Sequence, residues 1–170
     1  MGTQQNNYAF EASVRSDAQY QRFQGLKVCS ELTEEESMQL YTCLESQSIA
    51  AGTTIYEAES LSNQSIYLIT RGHASVSTPG SNIHLQLAAG DVFGLFSFLD
   101  EQRSHAATVK AVTDLEVLTI NRSYFDLITL EEPELGSRML RFMFHLLSQK
   151  TLRFEHEYAA MHEFETAGRY

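Results

Sequence analysis

Between Ile49 and Ile120 the apolar positions fall into short segments rich in β-branched and aromatic residues, punctuated by glycines at Gly52, Gly72, Gly80 and Gly90. This pattern predicts a run of about eight strands. Ser65 to Thr70 and His73 to Thr78 are expected to form a hairpin through Arg71 and Gly72, and Pro79, Gly80 and Ser81 to turn the next one toward Ile83 to Leu87. Short, evenly spaced antiparallel strands suggest a jelly roll or barrel.

Helical periods flank this block. Leu32 to Leu44 reads as a helix, because Thr33 and Glu36 make a T-x-x-E capping box and Leu40, Tyr41 and Leu44 share an apolar face. After Asn121, an expected N-cap, a brief helix through Leu127 leads to Pro133, which suits the first turn of a long terminal helix. One stripe of that helix, Leu140, Phe144, Leu147, Thr151, Phe154, Tyr158 and Met161, alternates spacings of four and three, the period of a coiled-coil seam. A parallel homodimer is expected from it. A second stripe, Met139, Phe142, Met143 and Leu146, stops early, as it should if the first turns also lie against the β-roll. The fold class is therefore α+β: an eight-stranded antiparallel β-roll flanked by N-terminal helices and a long C-terminal helix. The expected organisation is a tail over 1–17, one domain over 18–132, a dimerisation helix over 133–164 and a short tail over 165–170.

Composition narrows the function. With 170 residues and 43% apolar content the chain suits one well-buried core. The stretch through Asp17 is rich in Gln, Asn and Ser and is expected to fray, since it offers little apolar surface to offset its ordering entropy. A formal net charge of -10 repels a phosphate backbone, so nucleic acid is not an expected partner. Cys29 and Cys43 lack the close spacing of a zinc or redox pair and read as reduced core thiols of a cytoplasmic protein. No export signal or membrane-spanning apolar run is visible. There is no G-x-S-x-G and no phosphate loop ending in GK[ST]. His156 and His162 in HEYAAMH would stand roughly 240 degrees apart on a helix, so neither catalysis nor a metal site is expected.

The segment Leu87 to Ala111, LAAGDVFGLFSFLDEQRSHAATVKA, resembles the phosphate-binding cassette of the cyclic-nucleotide-binding family, typified by the catabolite activator protein and the regulatory subunits of cyclic-AMP-dependent protein kinase. GDVFG at Gly90 to Gly94 and AATVKA at Ala106 to Ala111 carry the likeness in sequence and spacing. AGTTIYEAES at Ala51 to Ser60 and IYLITRGHASV at Ile66 to Val76 look like the preceding family strands. The resemblance spans about Phe23 to Met161. It implies a ligand pocket at Gly94, Leu95, Phe96, Ser97, Arg103, His105, Ala106 and Ala107, where a glycine-led turn into a short helix aims backbone N–H groups at an anion.

Two family side chains are missing. The position of the arginine that clamps the cyclic phosphate is His105, and that of the glutamate that accepts the ribose hydroxyl is Leu95. Losing a buried charge-assisted contact costs roughly 2 to 5 kcal/mol, and an unsatisfied hydroxyl roughly 1 to 3 kcal/mol more. Affinity for a cyclic nucleotide should fall by about two to five powers of ten, so no bound cofactor is expected. Arg103, two residues before His105, is either a displaced clamp or, the favoured reading, paired with Asp100 or Glu101 in its own loop. His105 is equally a packing residue or a ligand contact. Leu95, Phe96 and Phe98 are expected to fill the former pocket. Family transcription factors carry a helix-turn-helix domain after the long helix, whereas nine residues follow Met161 here, so operator binding is not expected. The leading expectation is a dimeric, non-catalytic regulatory or interaction module acting on itself and a signalling protein. The alternative is a ligand sensor that still uses the cassette for a cyclic nucleotide or another anion and signals through the terminal helix.

Overall fold

The computed structural model describes residues 10–80, 84–100 and 102–167, with side chains placed through Thr151 except those of His84 and Lys150. Residues 10–16 are helical (α1), followed by α2 (Ala18–Gln24), a 3₁₀ turn (Lys27–Cys29) and α3 (Glu34–Thr42). Of the expected tail over 1–17, residues 10–16 are helical, and residues 1–9 lie outside the described residues. Val14 is buried in the helical core, and the Asp17 side chain accepts the Gln19 N–H as the N-cap of α2 and the Tyr41 hydroxyl at 2.6 Å. One buried side chain, Val14, and one hydrogen-bonding cap, Asp17, hold residues 10–17 although the composition is polar. The capping box of α3 forms as its sequence requires, with Thr33 and Glu36 bonded reciprocally.

Eight strands follow: β1 (Glu45–Ile49), β2 (Thr54–Tyr56), β3 (Ser65–Arg71), β4 (Ala74–Ser77), β5 (His84–Leu87), β6 (Val92–Phe93), β7 (Thr108–Ala111) and β8 (Leu115–Asn121). They make two four-stranded antiparallel sheets, ordered β1-β8-β3-β6 and β2-β7-β4-β5. The short helix α4 (Leu95–Leu99) sits between β6 and β7, and α5 (Arg122–Glu131) and α6 (Pro133–Ala167) close the chain. Asn121 caps α5 by accepting the Ser123 N–H, and α5 runs to Glu131, beyond the expected Leu127. The α+β roll with its long terminal helix is as the pattern predicted.

The expected hairpin between Ser65–Thr70 and His73–Thr78 does not form. β3 pairs with β8 and β6, while β4 pairs with β5 and β7, so Arg71 and Gly72 turn a corner from one sheet into the other. Gly72 sits at φ +90°, and a Cβ there would lie 2.2 Å from the Asp114 carbonyl oxygen. The second expected hairpin, β4 to β5, does pair, Ala74 opposite Leu87 through Ser77 opposite His84.

Two apolar layers result. Tyr67, Ile69, Leu87, Phe93, Val109 and Val117 fill the space between the sheets. The opposite face of the first sheet, with Ile66, Leu68, Leu118 and Ile120, packs against the helices through Phe23, Met139, Phe142 and Leu146. Strands β3 and β8 are thus buried on both faces, which is why they read as continuous apolar runs without alternation. Cys29 and Cys43 are buried and free in the helical layer, and burial pushes the Cys29 thiol up to about 12, so it is unreactive at neutral pH. Among the described residues no helix is long and apolar enough to cross a membrane.

Candidate functional site

The turn Ala88–Asp91 brings the chain back to the first sheet: Asp91 accepts the Ala88 N–H through its side chain, and the Gly90 N–H donates to the Ile69 carbonyl. β6 then delivers Gly94 at φ +85° as the left-handed N-cap of α4. A side chain there would meet the Ser65 carbonyl oxygen at 2.2 Å, so the glycine is required both by conformation and by contact with β3. From Leu95 onward the first N–H groups of α4 have no intrahelical acceptor; Ser97 is buried, its hydroxyl donating to the Gly94 carbonyl.

The other wall is the segment before β7. Its backbone is pinned to residues 59–60, His105 N–H donating to the Ser60 carbonyl at 3.0 Å and Glu59 N–H to the His105 carbonyl at 2.7 Å. The His105 side chain is only 4% exposed. Its ring stacks on Tyr56 at 3.7 Å and 7°, and Tyr56 leans on Phe93 at 6.0 Å, which stacks in turn on Tyr67 at 4.8 Å. The His105 Nε2 is buried and has no hydrogen-bond partner among the described residues. Desolvation holds the imidazole below its usual 6.5, so it is uncharged at neutral pH.

Between these walls lies a cavity of about 450 Å³. All eight pocket residues read from the sequence line it: Gly94, Leu95, Phe96, Ser97, Arg103, His105, Ala106 and Ala107. One expectation needs correction, and a second is answered for one of its two partners. The cassette aromatics do not plug the cavity: Phe98 turns away to meet Phe125 at 5.6 Å in the helical layer, and Phe96 is 67% exposed. On a five-residue helix, positions 96 and 98 point to opposite sides, so they cannot share one space. Nor does Arg103 pair with Asp100; its backbone N–H donates to the Asp100 carbonyl, its side chain makes no ion pair among the described residues, and Glu101 lies outside them. Arg103 is the cavity's one permanent cation among the described lining residues, which include no carboxylate.

Sequence reasoning missed Tyr56 and the sheet residues Val76, Leu85, Leu87 and Val109 as lining. Their only signal is inward register within the roll. It also missed the role of the long helix, whose Leu147 and Thr151 line the cavity. Of the proposed seam, Leu140 and Phe144 are exposed, at 50% and 71%, and Leu147 is half-buried. The side chains of Phe154, Tyr158 and Met161 lie outside the described residues. The second stripe behaves as expected, Met139, Phe142 and Leu146 being buried and Met143 packed beside them.

At the two positions where the resemblance implies a phosphate clamp and a ribose acceptor, the cavity presents His105 and Leu95. The first is a neutral imidazole without the permanent charge of a guanidinium, and the second has no hydrogen-bonding group. The uncharged state of His105 has a measurable consequence. Because its folded pKa lies below the unfolded 6.5, the unfolded chain binds the proton more readily, and stability present above pH 6.5 should be lost as pH falls. His105→Phe keeps the stacked ring and removes the unsatisfied nitrogen. Its urea-denaturation free energy should match or exceed the wild type at pH 8 by up to about 1 kcal/mol, and should fall less between pH 7 and pH 5.

Comparison with known proteins agrees with this geometry. The sequence pattern of the family described as Cyclic nucleotide-binding domain matches residues 46–131. Among solved structures, a cyclic nucleotide-binding domain from Methylobacillus flagellatus KT superposes with a TM-score of 0.66 at 16% identity, covering 88% of this chain and 83% of that one. The N-terminal domain of a transcriptional regulator from Streptomyces coelicolor A3(2) gives 0.57 at 18% identity, covering 76% and 94%. The catabolite activator protein of Thermus thermophilus gives 0.56 at 22% identity, covering 75% of this chain and 61% of that one. No curated protein matches the chain.

Proposed function

The chain belongs to the cyclic nucleotide-binding domain family, and from that premise we infer that it is a non-catalytic, cytoplasmic regulatory module with weak or no binding of standard cyclic nucleotides. One observation carries the reading. At the clamp position stands His105, buried, stacked on Tyr56 and held neutral by desolvation. A cyclic phosphate entering this cavity would be desolvated against an uncharged ring, with Arg103 the one permanent cation among the described lining residues. Isothermal titration of the wild type with cyclic AMP, cyclic GMP and cyclic di-GMP is expected to show no saturable heat at micromolar concentrations. Tight binding of any of them would overturn the reading.

Self-association through α6 is the second part of the proposal. Leu140 and Phe144, exposed side by side at four-residue spacing on a helix of 35 residues, support a parallel dimer. Phe144→Glu should shift the sedimentation coefficient from dimer to monomer with no change in the circular dichroism of the roll. An unchanged sedimentation profile would remove the seam from the proposal.

A specific observation also favours the ligand-sensor reading. The cavity is open, and Leu147 and Thr151 of α6 line it. A ligand that contacts these residues favours one position of the helix by its differential contacts, which is what coupling requires.

A further inference from the structure

The cavity has lost the groups that suit a sugar phosphate, yet it has not been filled, and what lines it has a chemistry of its own. Val76, Leu85, Leu87 and Val109 from the second sheet, with Phe93 and Leu147 opposite, make its body apolar. Ribose hydroxyls have no carboxylate to meet among the described lining residues. At about 450 Å³ it lies toward the small end of ligand cavities, roughly 300–1,000 Å³.

Its polar features are few. Arg103 is exposed, free of ion pairs among the described residues and part of the lining. Two residues on, His105 carries a buried Nε2 without a partner among the described residues, an arrangement that is costly unless a hydrogen bond is made. One planar cation and one neutral imidazole on the same wall specify a single head group with one negative charge. A carboxylate matches the guanidinium fork bidentately.

The geometry points to an apolar monocarboxylate as the ligand class, its hydrocarbon or aromatic body among the sheet residues and Leu147, its carboxylate held by Arg103. This rests on the reading of the cavity as a retained ligand site. Cations and dianions are disfavoured, the first for want of a carboxylate among the described lining residues and the second because the one cation among them does not neutralise two charges.

The test is calorimetric titration of the full chain with decanoate and 2-naphthoate, each against its neutral counterpart, decanol and 2-naphthalenemethanol. At least one acid should bind saturably with one site per chain, about tenfold more tightly than its alcohol. Arg103→Ala, at an exposed position, should erase that tenfold difference and leave the alcohols unchanged. Ala107→Phe, which places a ring in the cavity, should abolish binding of both. No saturable binding by either acid, equal binding by acid and alcohol, or indifference to Arg103→Ala would overturn the assignment. Titrating a His105→Arg, Leu95→Glu protein with cyclic AMP in the same series separates the failures. If that protein binds cyclic AMP while neither acid binds, the cavity is a working site and the ligand class is wrong; if it too is silent, the retained-site reading falls as well.

Discussion

Replacing His105 by arginine and Leu95 by glutamate together is expected to convert the protein into a cyclic-AMP binder, with affinity rising by about two to five powers of ten into the range detectable at micromolar concentration. The physical basis is local. An arginine at 105 would start from a backbone already fixed by the paired hydrogen bonds to residues 59–60, and would face the cavity that His105 lines. It restores a permanent charge where the imidazole is neutral, worth roughly 2 to 5 kcal/mol once desolvated with a phosphate. The glutamate restores an acceptor for a ribose hydroxyl, roughly 1 to 3 kcal/mol. The double substitution should destabilise the ligand-free protein, because it sets a guanidinium at a position as buried as His105 and a carboxylate on the same cavity wall, and desolvating two charges costs more than their mutual attraction returns. A melting curve should therefore show a lower midpoint than wild type without cyclic AMP and a marked recovery with it. A double variant that folds, melts like the wild type and ignores cyclic AMP would show that the cavity no longer admits the nucleotide at all.

Gly94→Ala is expected to be the more damaging methyl at the two cassette glycines, Gly90 and Gly94. The residue sits at φ +85°, where an L side chain is strained, and the added Cβ would lie 2.2 Å from the Ser65 carbonyl oxygen and 3.3 Å from its carbon. That carbonyl belongs to β3, an inner strand paired on both sides by β8 and β6, so the backbone has no room to yield. Strain and overlap together should cost roughly 3 kcal/mol or more, lowering the melting midpoint by about 6–12 °C for a chain of this size. Gly52→Ala is the control: its φ is +83°, but nothing lies within 4 Å of the new Cβ, and it should cost only about 1–2 kcal/mol. Equal midpoints for the two variants would sink the claim that contact with Ser65 matters.

Much of this arrangement is written locally. The Thr33–Glu36 box, the Asn121 cap and the Pro133 helix start need only neighbours within a turn, and all appear where the residues place them. The two missing family side chains are equally legible, since they are substitutions within a contiguous motif whose spacing is intact. The reading failed where the outcome depends on residues far apart in the chain. The Arg71–Gly72 turn has the composition of a hairpin, but whether it folds a strand back or turns a corner is decided by the pairing of β8 with β3, almost fifty residues on. Arg103 next to acidic residues in sequence resembles a local ion pair; Asp100 is not its partner, Glu101 lies outside the described residues, and Arg103 lines the cavity, which its neighbours in sequence do not announce.

What the sequence determined by itself is the set of elements, the apolar faces they must bury and the identity of the residues at the cassette, because each is fixed by side-chain chemistry and spacings of a few residues. The tertiary structure decided the rest: the stacking of His105 on Tyr56, the escape of Phe98 into the helical layer, and the seat of Leu147 on the cavity wall. These are contacts between segments that meet only after two sheets and the long helix have packed. Whether a pocket stays open depends on which faces that packing turns inward, and periodicity along one element says which face is apolar without saying what it will meet.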